Sequence, residues 1–195
     1  MALAKAHPAL ERVPVLGDVR DRGRIDDVIA REKPNLVFHA AALKHVPMVE
    51  RNPNEGVLTN VIGGRNVADA CRAAGVELMV QISTDKAVNP ANVMGATKRL
   101  AEGYCQALDM AGRASGGTRF AIVRFGNVLG STGSVVPLFQ RQLAQGGPLT
   151  VTDPNMTRYF MTVREAVELV LQASALGQSA SEAHIFVQVG RAHDC

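Results

Sequence analysis

Aromatic residues make up only 4% of this chain, tryptophan is absent, and no run of Lys and Arg tracks with the few aromatics present. Proteins that grip nucleic acid pair basic grooves with stacking rings, so nucleic acid is a poor partner for this sequence. No apolar run reaches the roughly 18 residues of a membrane helix. The start carries no signal-peptide pattern, and the expected setting is the cytoplasm, with no membrane segment in this chain. Three cysteines occur, Cys71, Cys105 and Cys195, without metal-ligand spacing. No metal site is therefore expected, and Cys71 and Cys105 read as buried thiols in a reducing compartment. Also lacking is the G-x-G-x-x-G turn with which a dinucleotide-binding fold normally begins. The nearest glycines, Gly63-Gly64 inside a helical pattern and Gly130 to Gly133 after a late strand, read as packing or turn residues.

The residues present are those of a globular α/β domain. Apolar runs alternate with helical patterns: Val13–Leu16 as a short strand, Arg24–Lys33 as a surface helix ended by Pro34, and Leu36–Ala42 as the next strand. A helix over Asn54–Ala74 follows, with Val57, Val61, Val67 and Ala70 inward and Gly75 as its stop. Then come a strand at Leu78–Ile82, a helix from about Asn92 to Met110, a strand at Phe120–Phe125 and a helix at Val135–Ala144. An amphipathic helix over Arg164–Leu176, with Ala166, Val167, Val170 and Leu171 inward, leads to a last strand at Ile185–Val189. Strands separated by helical crossovers imply a doubly wound parallel sheet, the α/β class, without internal repeats.

The chemistry concentrates in Ile82–Arg99, ISTDKAVNPANVMGATKR. Ser83, Thr84, Asp85 and Lys86 lie where a buried parallel strand gives way to a loop, the edge at which open α/β sheets bind ligands. An aspartic acid there can protonate a leaving hydroxyl, and a lysine of depressed pKa can take a proton from carbon. The plain alternative is a solvated Asp-Lys surface pair. Met94 and Lys98, four apart, share a helix face. In a Y-x-x-x-K pair the tyrosine is the acid/base, but Met94 cannot transfer a proton. By itself this spacing describes a core methionine and an exposed lysine.

Six segments in order carry a resemblance: GDVRD (Gly17–Asp21), FHAAALKHVPMVE (Phe38–Glu50), TNVIGGRNV (Thr59–Val67), Ile82–Arg99, VRFGNVLGSTGSVVPLF (Val123–Phe139) and TRYFMT (Thr157–Thr162). Together they resemble the nucleotide-sugar 4,6-dehydratases of polysaccharide biosynthesis, in the extended short-chain dehydrogenase/reductase superfamily. The branch they are most similar to is that of the large UDP-N-acetylglucosamine 4,6-dehydratases, which carry Met where smaller relatives carry Tyr. Against that pattern the chain is expected to be a partial NAD(P)-binding Rossmann-like domain over residues 1–195, lacking the first βαβ unit and the final cap elements. Residues 131–195 would contribute part of the substrate-binding region. Full-length relatives of this branch also have an amino-terminal membrane region.

The resemblance implies a lyase reaction with NAD or NADP as cofactor and a UDP-sugar as substrate. Hydride leaves carbon 4 of the sugar, water is eliminated across carbons 5 and 6, and hydride returns to carbon 6. It implies Asp85 as the acid for the 6-hydroxyl, Lys86 as the base at carbon 5, Thr84 aligning the 4-hydroxyl, Met94 at the tyrosine position and Lys98 on the nicotinamide ribose. Deprotonation of the 4-hydroxyl then falls to Asp85 acting through Thr84, or to a water. Asp18 and Val19 would flank the adenine, and Ala40, Ala41 and Ala42, with Asn60 and Ser83, would lie along the cofactor. Lys44 and His45 would face the substrate, and Asn127 and Arg158 its diphosphate; the plain alternative for a lone His is a structural role. A homo-oligomer is compatible with this reading. Two other functions stay open: a 4-epimerase of the same superfamily, which needs no acid–base pair at carbons 5 and 6, and a catalytically silent binding fragment.

Overall fold

Leu78, Met79 and Val80 are all fully buried, the continuous apolar run of a parallel strand covered on both faces. They open β2 (Leu78–Thr84), the middle of the sheet. The computed structural model of the protein describes residues 8–131, 135–151, 157–179, 185–188 and 191–194. β2 pairs in parallel with β1 (Leu36–His39) on one side and β3 (Arg119–Phe125) on the other. β6 (Ile185–Gln188) lies beyond β3, giving the order β1-β2-β3-β6. A smaller sheet joins β4 (Asn127–Val128), β5 (Thr157–Met161) and β7 (Arg191–Asp194) in that order. The doubly wound α/β class expected from the sequence is the one observed.

Strand alternation divides the core in two. Met79, Phe120 and Ile122 face a cluster with Val67, Ala68, Cys71, Cys105 and Leu108. Leu78, Val80, Ala121 and Val123 face the opposite cluster with Leu169 and Ala173. The first cluster lies under α4 (Gly64–Ala74) and α5 (Val93–Gly112), and the second under α7 (Val163–Ser179). α1 (Arg22–Glu32) starts at Asp21, whose carboxylate accepts from Arg24 N, and ends at Lys33 in the left-handed region, just before Pro34. α2 (Val46–Arg51) and α3 (Pro53–Gly56) lead toward α4, and α6 (Val135–Ala144) follows β4.

Three expectations need correction. Val13–Leu16 is not a strand: no strand lies beside it among the described residues, Leu16 is 92% exposed, and a strand exists only through its ladder. The single helix over Asn54–Ala74 is instead α3, a π-helical segment at Val57–Gly63, and α4. The wider π turns put the helix out of phase, so Val67 and Ala70 are buried as expected whereas Val57 is 41% exposed. On α7 Ala166 is buried and Val170 packs against the second cluster as expected, but Leu169 and Ala173 also point inward, and Val167 and Leu171 are more than half exposed. Leu169 and Ala173 fill the face formed by Leu78, Val80, Ala121 and Val123, which turns Val167 and Leu171 outward. Gly75, by contrast, ends α4 as expected, with φ 71°.

Candidate active site

β2 ends in extended geometry at Thr84, and the chain then tightens into one 3-10 turn, Asp85–Ala87. Thr84 Oγ1 accepts from Lys86 N at 3.4 Å, and Asp85 O accepts from Val88 N at 3.0 Å. The turn brings two functional groups onto one oxygen of Asp85. Thr84 Oγ1 donates to Asp85 Oδ1 at 2.8 Å, and Lys86 Nζ donates to the same oxygen at 3.0 Å. Both side chains are about one-third exposed (Lys86 32%, Asp85 34%), and Lys86 lines a cavity. Lys86 Nζ also reaches Asn127 Oδ1 at 3.5 Å, at the first residue of β4.

α5 starts beside this turn. Asn92 Oδ1 caps it by accepting from Gly95 N at 2.8 Å, and Glu50 Oε1 accepts from Val93 N at 2.6 Å. Those caps satisfy amides that have no partner inside the helix. Met94 and Lys98 come to the same face, both buried. Lys98 Nζ donates to Ile82 O at 2.6 Å. Burial lowers the amine's pKa to about 8, against the opposing pull of the Glu102 carboxylate one turn on. Glu102 is itself fully buried and held by the Arg124 guanidinium, with Arg99 Nη1 at 3.2 Å. His39 is pushed down to about 4, first by burial and then by the Lys98 charge, and its Nε2 has no partner. A neutral imidazole therefore shares the buried layer beneath the site with the amine.

These elements enclose a cavity of about 420 Å³ at the carboxyl edge of the strands. Of the residues expected at the site, Ala40, Ala42, Lys44, His45, Ser83, Thr84, Lys86, Met94, Lys98 and Asn127 form its wall. Asp85 does not line it; its carboxylate is bonded to Thr84 and Lys86, which do. Ser83 Oγ is buried on that wall without a hydrogen-bond partner.

Other expected residues lie off the wall. Ala41 does not line it. Asn60 is buried: it accepts from Leu43 N at 2.8 Å and donates to Leu43 O and Thr97 Oγ1, both at 3.0 Å. It thereby ties the loop carrying Lys44 and His45 to α5. Asp18 and Val19 form a separate corner. Arg20 binds the Asp18 carboxylate through its backbone N–H at 2.9 Å and its guanidinium at 2.7 Å, which lowers the acid's pKa. Val19 packs so closely on Gly63 that a β-carbon there would lie 2.6 Å from Val19 Cγ2. Arg158 lies in β5, and its side chain is outside the described part of the structure.

Sequence reasoning missed Phe125, Gly126 and Val128 on the wall, and Asn66, whose Nδ2 donates to Val19 O at 3.0 Å. The available signal for the wall residues was adjacency, since Phe125, Gly126 and Val128 flank Asn127 in sequence. No helix among the described residues is long and apolar enough to cross a membrane.

Comparison with known proteins supplies the context of this site. Residues 2–193 match the family described as polysaccharide biosynthesis protein. The capsular polysaccharide biosynthesis protein CapD of Staphylococcus aureus is 56% identical over 169 residues, which are 87% of this chain and 28% of CapD. An inverting UDP-N-acetylglucosamine 4,6-dehydratase of Campylobacter jejuni is 46% identical, over 80% of this chain and 46% of the relative. A UDP-glucose 4-epimerase of Rickettsia rickettsii is 44% identical, over 96% of this chain and 53% of the relative. Among solved structures, the Thermus thermophilus UDP-glucose 4-epimerase in complex with NAD matches with a TM-score of 0.73 at 26% identity, over 91% of this chain and 63% of that one. The sheet and its crossovers are thus Rossmann-like. The chain spans about half or less of the length of these curated relatives.

Proposed function

From the premise that this chain belongs to the polysaccharide biosynthesis protein family, we propose that its site is that of an NAD(P)-dependent nucleotide-sugar 4,6-dehydratase acting on a UDP-N-acetylglucosamine-type substrate. The observation that carries the proposal is the convergence of Thr84 Oγ1 and Lys86 Nζ on Asp85 Oδ1. An acid and an amine side by side suit elimination across two adjacent carbons; epimerisation at carbon 4 has no use for the pair. The identity to a relative named as a UDP-N-acetylglucosamine 4,6-dehydratase supports the same reading.

The residues also fit a nicotinamide cofactor at its ribose end. Ser83 Oγ is an unpartnered buried hydroxyl, Lys98 carries N–H groups beyond the one given to Ile82 O, and Ala40 and Ala42 leave the wall small. Ser83 and Lys98 would hold the cofactor, which when bound supplies the acceptor and later the donor of hydride. Everything else in the proposed mechanism is done by the protein. Thr84 Oγ1 takes the hydrogen of the sugar 4-hydroxyl and passes its own to Asp85 Oδ1. Asp85 delivers that proton to the departing 6-hydroxyl, which leaves as water. Lys86, whose ammonium first releases a proton to solvent, takes the proton from carbon 5 and returns it once carbon 6 is reduced. In this scheme Met94 shapes the wall and moves no proton.

A second reading, 4-epimerisation, is favoured by the Rickettsia relative's name and near-complete coverage of this chain. Incubation with UDP-N-acetylglucosamine and NAD+ separates the two. A 4-keto-6-deoxy product supports the dehydratase, and a galacto product supports the epimerase.

A further inference from the structure

We infer that Asn127 is a positioning residue for the Lys86 amine during proton transfer, an inference that rests on the dehydratase reading above. A lysine amine on a four-carbon stem is mobile unless something holds it. Among the described residues Lys86 Nζ has two side-chain acceptors, Asp85 Oδ1 at 3.0 Å and Asn127 Oδ1 at 3.5 Å. They differ in how long they last. The pull of Asp85 is that of a carboxylate on an ammonium, and it fades once Asp85 carries a proton and Lys86 has lost one. The amide oxygen of Asn127 is neutral and accepts an N–H from ammonium and amine alike. Asn127 is therefore the partner that stays through the whole cycle.

The fold fixes Asn127 independently of Lys86. It opens β4 and pairs in parallel register with Phe160 of β5, and Leu129 N donates to Met161 O at 2.9 Å just beyond. Gly126 makes this seating available: a β-carbon there would lie 2.8 Å from Tyr159 O and 3.2 Å from Tyr159 Cβ. Asn127 thus links an amine carried by the large sheet to a strand of the small one. A contact to the substrate diphosphate, the role that the resemblance implies for Asn127, makes a different kinetic prediction. Loss of a substrate contact raises KM, whereas loss of a support for the base lowers kcat.

The test measures 4-keto product from UDP-N-acetylglucosamine and NAD+ across pH for the protein and its Asn127→Leu, Asn127→Asp and Gly126→Ala variants. Asn127→Leu is expected to lower kcat about 10- to 100-fold and to leave KM within about two-fold. Asn127→Asp, with nearly the same shape, places a carboxylate beside the amine and is expected to move the rising limb of the kcat–pH profile to higher pH. Gly126→Ala is expected to follow Asn127→Leu by displacing the side chain. A loss confined to KM in Asn127→Leu, or an unshifted pH profile in Asn127→Asp, overturns the positioning role alone. Absence of any 4-keto product from the unaltered protein overturns the dehydratase reading, and the positioning role with it.

Discussion

Gly95, in the first turn of α5, rests directly against the carbonyl oxygen of Lys86; a β-carbon on Gly95 would fall far inside van der Waals contact with that oxygen. The start of the helix that carries Met94 and Lys98 is therefore seated on the turn that carries Asp85 and Lys86. Gly95→Ala must move backbone against backbone. The expected outcome is a loss of about 1–3 kcal/mol in stability by urea unfolding, together with a loss of turnover larger than that instability explains at temperatures where the variant stays folded.

Thr84 contributes a hydroxyl that lies on Asp85 Oδ1 at 2.8 Å. Thr84→Val keeps the shape of the side chain and removes the proton path. Its kcat is expected to fall about 100-fold, with Thr84→Ser restoring most of it. A valine variant with an unchanged kcat would remove Thr84 from the proposed relay.

Lys98 is retained at a cost to the fold. Its pKa of about 8, against the ordinary 10.5, means that burial disfavours the charged form. At roughly 1.4 kcal/mol per unit this opposes folding by about 3 kcal/mol at pH 7, of which the bond to Ile82 O is already a part. The sign follows from proton binding. The unfolded chain binds more protons between pH 8 and 10.5, so the cost is full below pH 8 and vanishes as pH rises through that window. Lys98→Met is expected to be more stable than the parent at pH 7 by about 1–3 kcal/mol. The advantage should shrink toward pH 10, and the variant should lose NAD+ binding by calorimetric titration.

His39 sets the acid limb. Its pKa is lowered from 6.5 to about 4, so the folded protein binds fewer protons there than the unfolded chain. The stability linked to His39 is fully present above pH 6.5 and is lost as pH falls from 6.5 toward 4. Between pH 7 and pH 5 the loss is about 2 kcal/mol. Urea unfolding at those two pH values should show it, and His39→Gln should flatten it.

Much of this site was legible before the fold was known, because its chemistry is local in sequence. Ser83 to Lys86 are consecutive at the end of an apolar run, and Met94 and Lys98 sit one helical turn apart, so spacing alone brings them near one strand edge. What could not be read was long-range. The bond from Lys86 to Asn127 joins residues 41 apart, and that from Asn60 to Leu43 joins residues 17 apart. The π-helical segment was invisible because Val57 and Val61 keep the four-residue spacing of an ordinary helix face. Val13–Leu16 was misread for the opposite reason: its apolar run is that of a strand, but a strand is made by its neighbours. The inward face of α7 was set by which residues meet the sheet, Leu169 and Ala173, whereas hydrophobicity alone also pointed to Val167 and Leu171.

The most direct measurement is the NMR spectrum of the sugar nucleotide formed when the protein is incubated with UDP-N-acetylglucosamine and NAD+. The account predicts loss of water, a ketone or its hydrate at carbon 4 and a methyl group at carbon 6, with all three signals absent for Asp85→Asn. A galacto-configured product, or the same 4-keto product at full rate from Asp85→Asn, would contradict it.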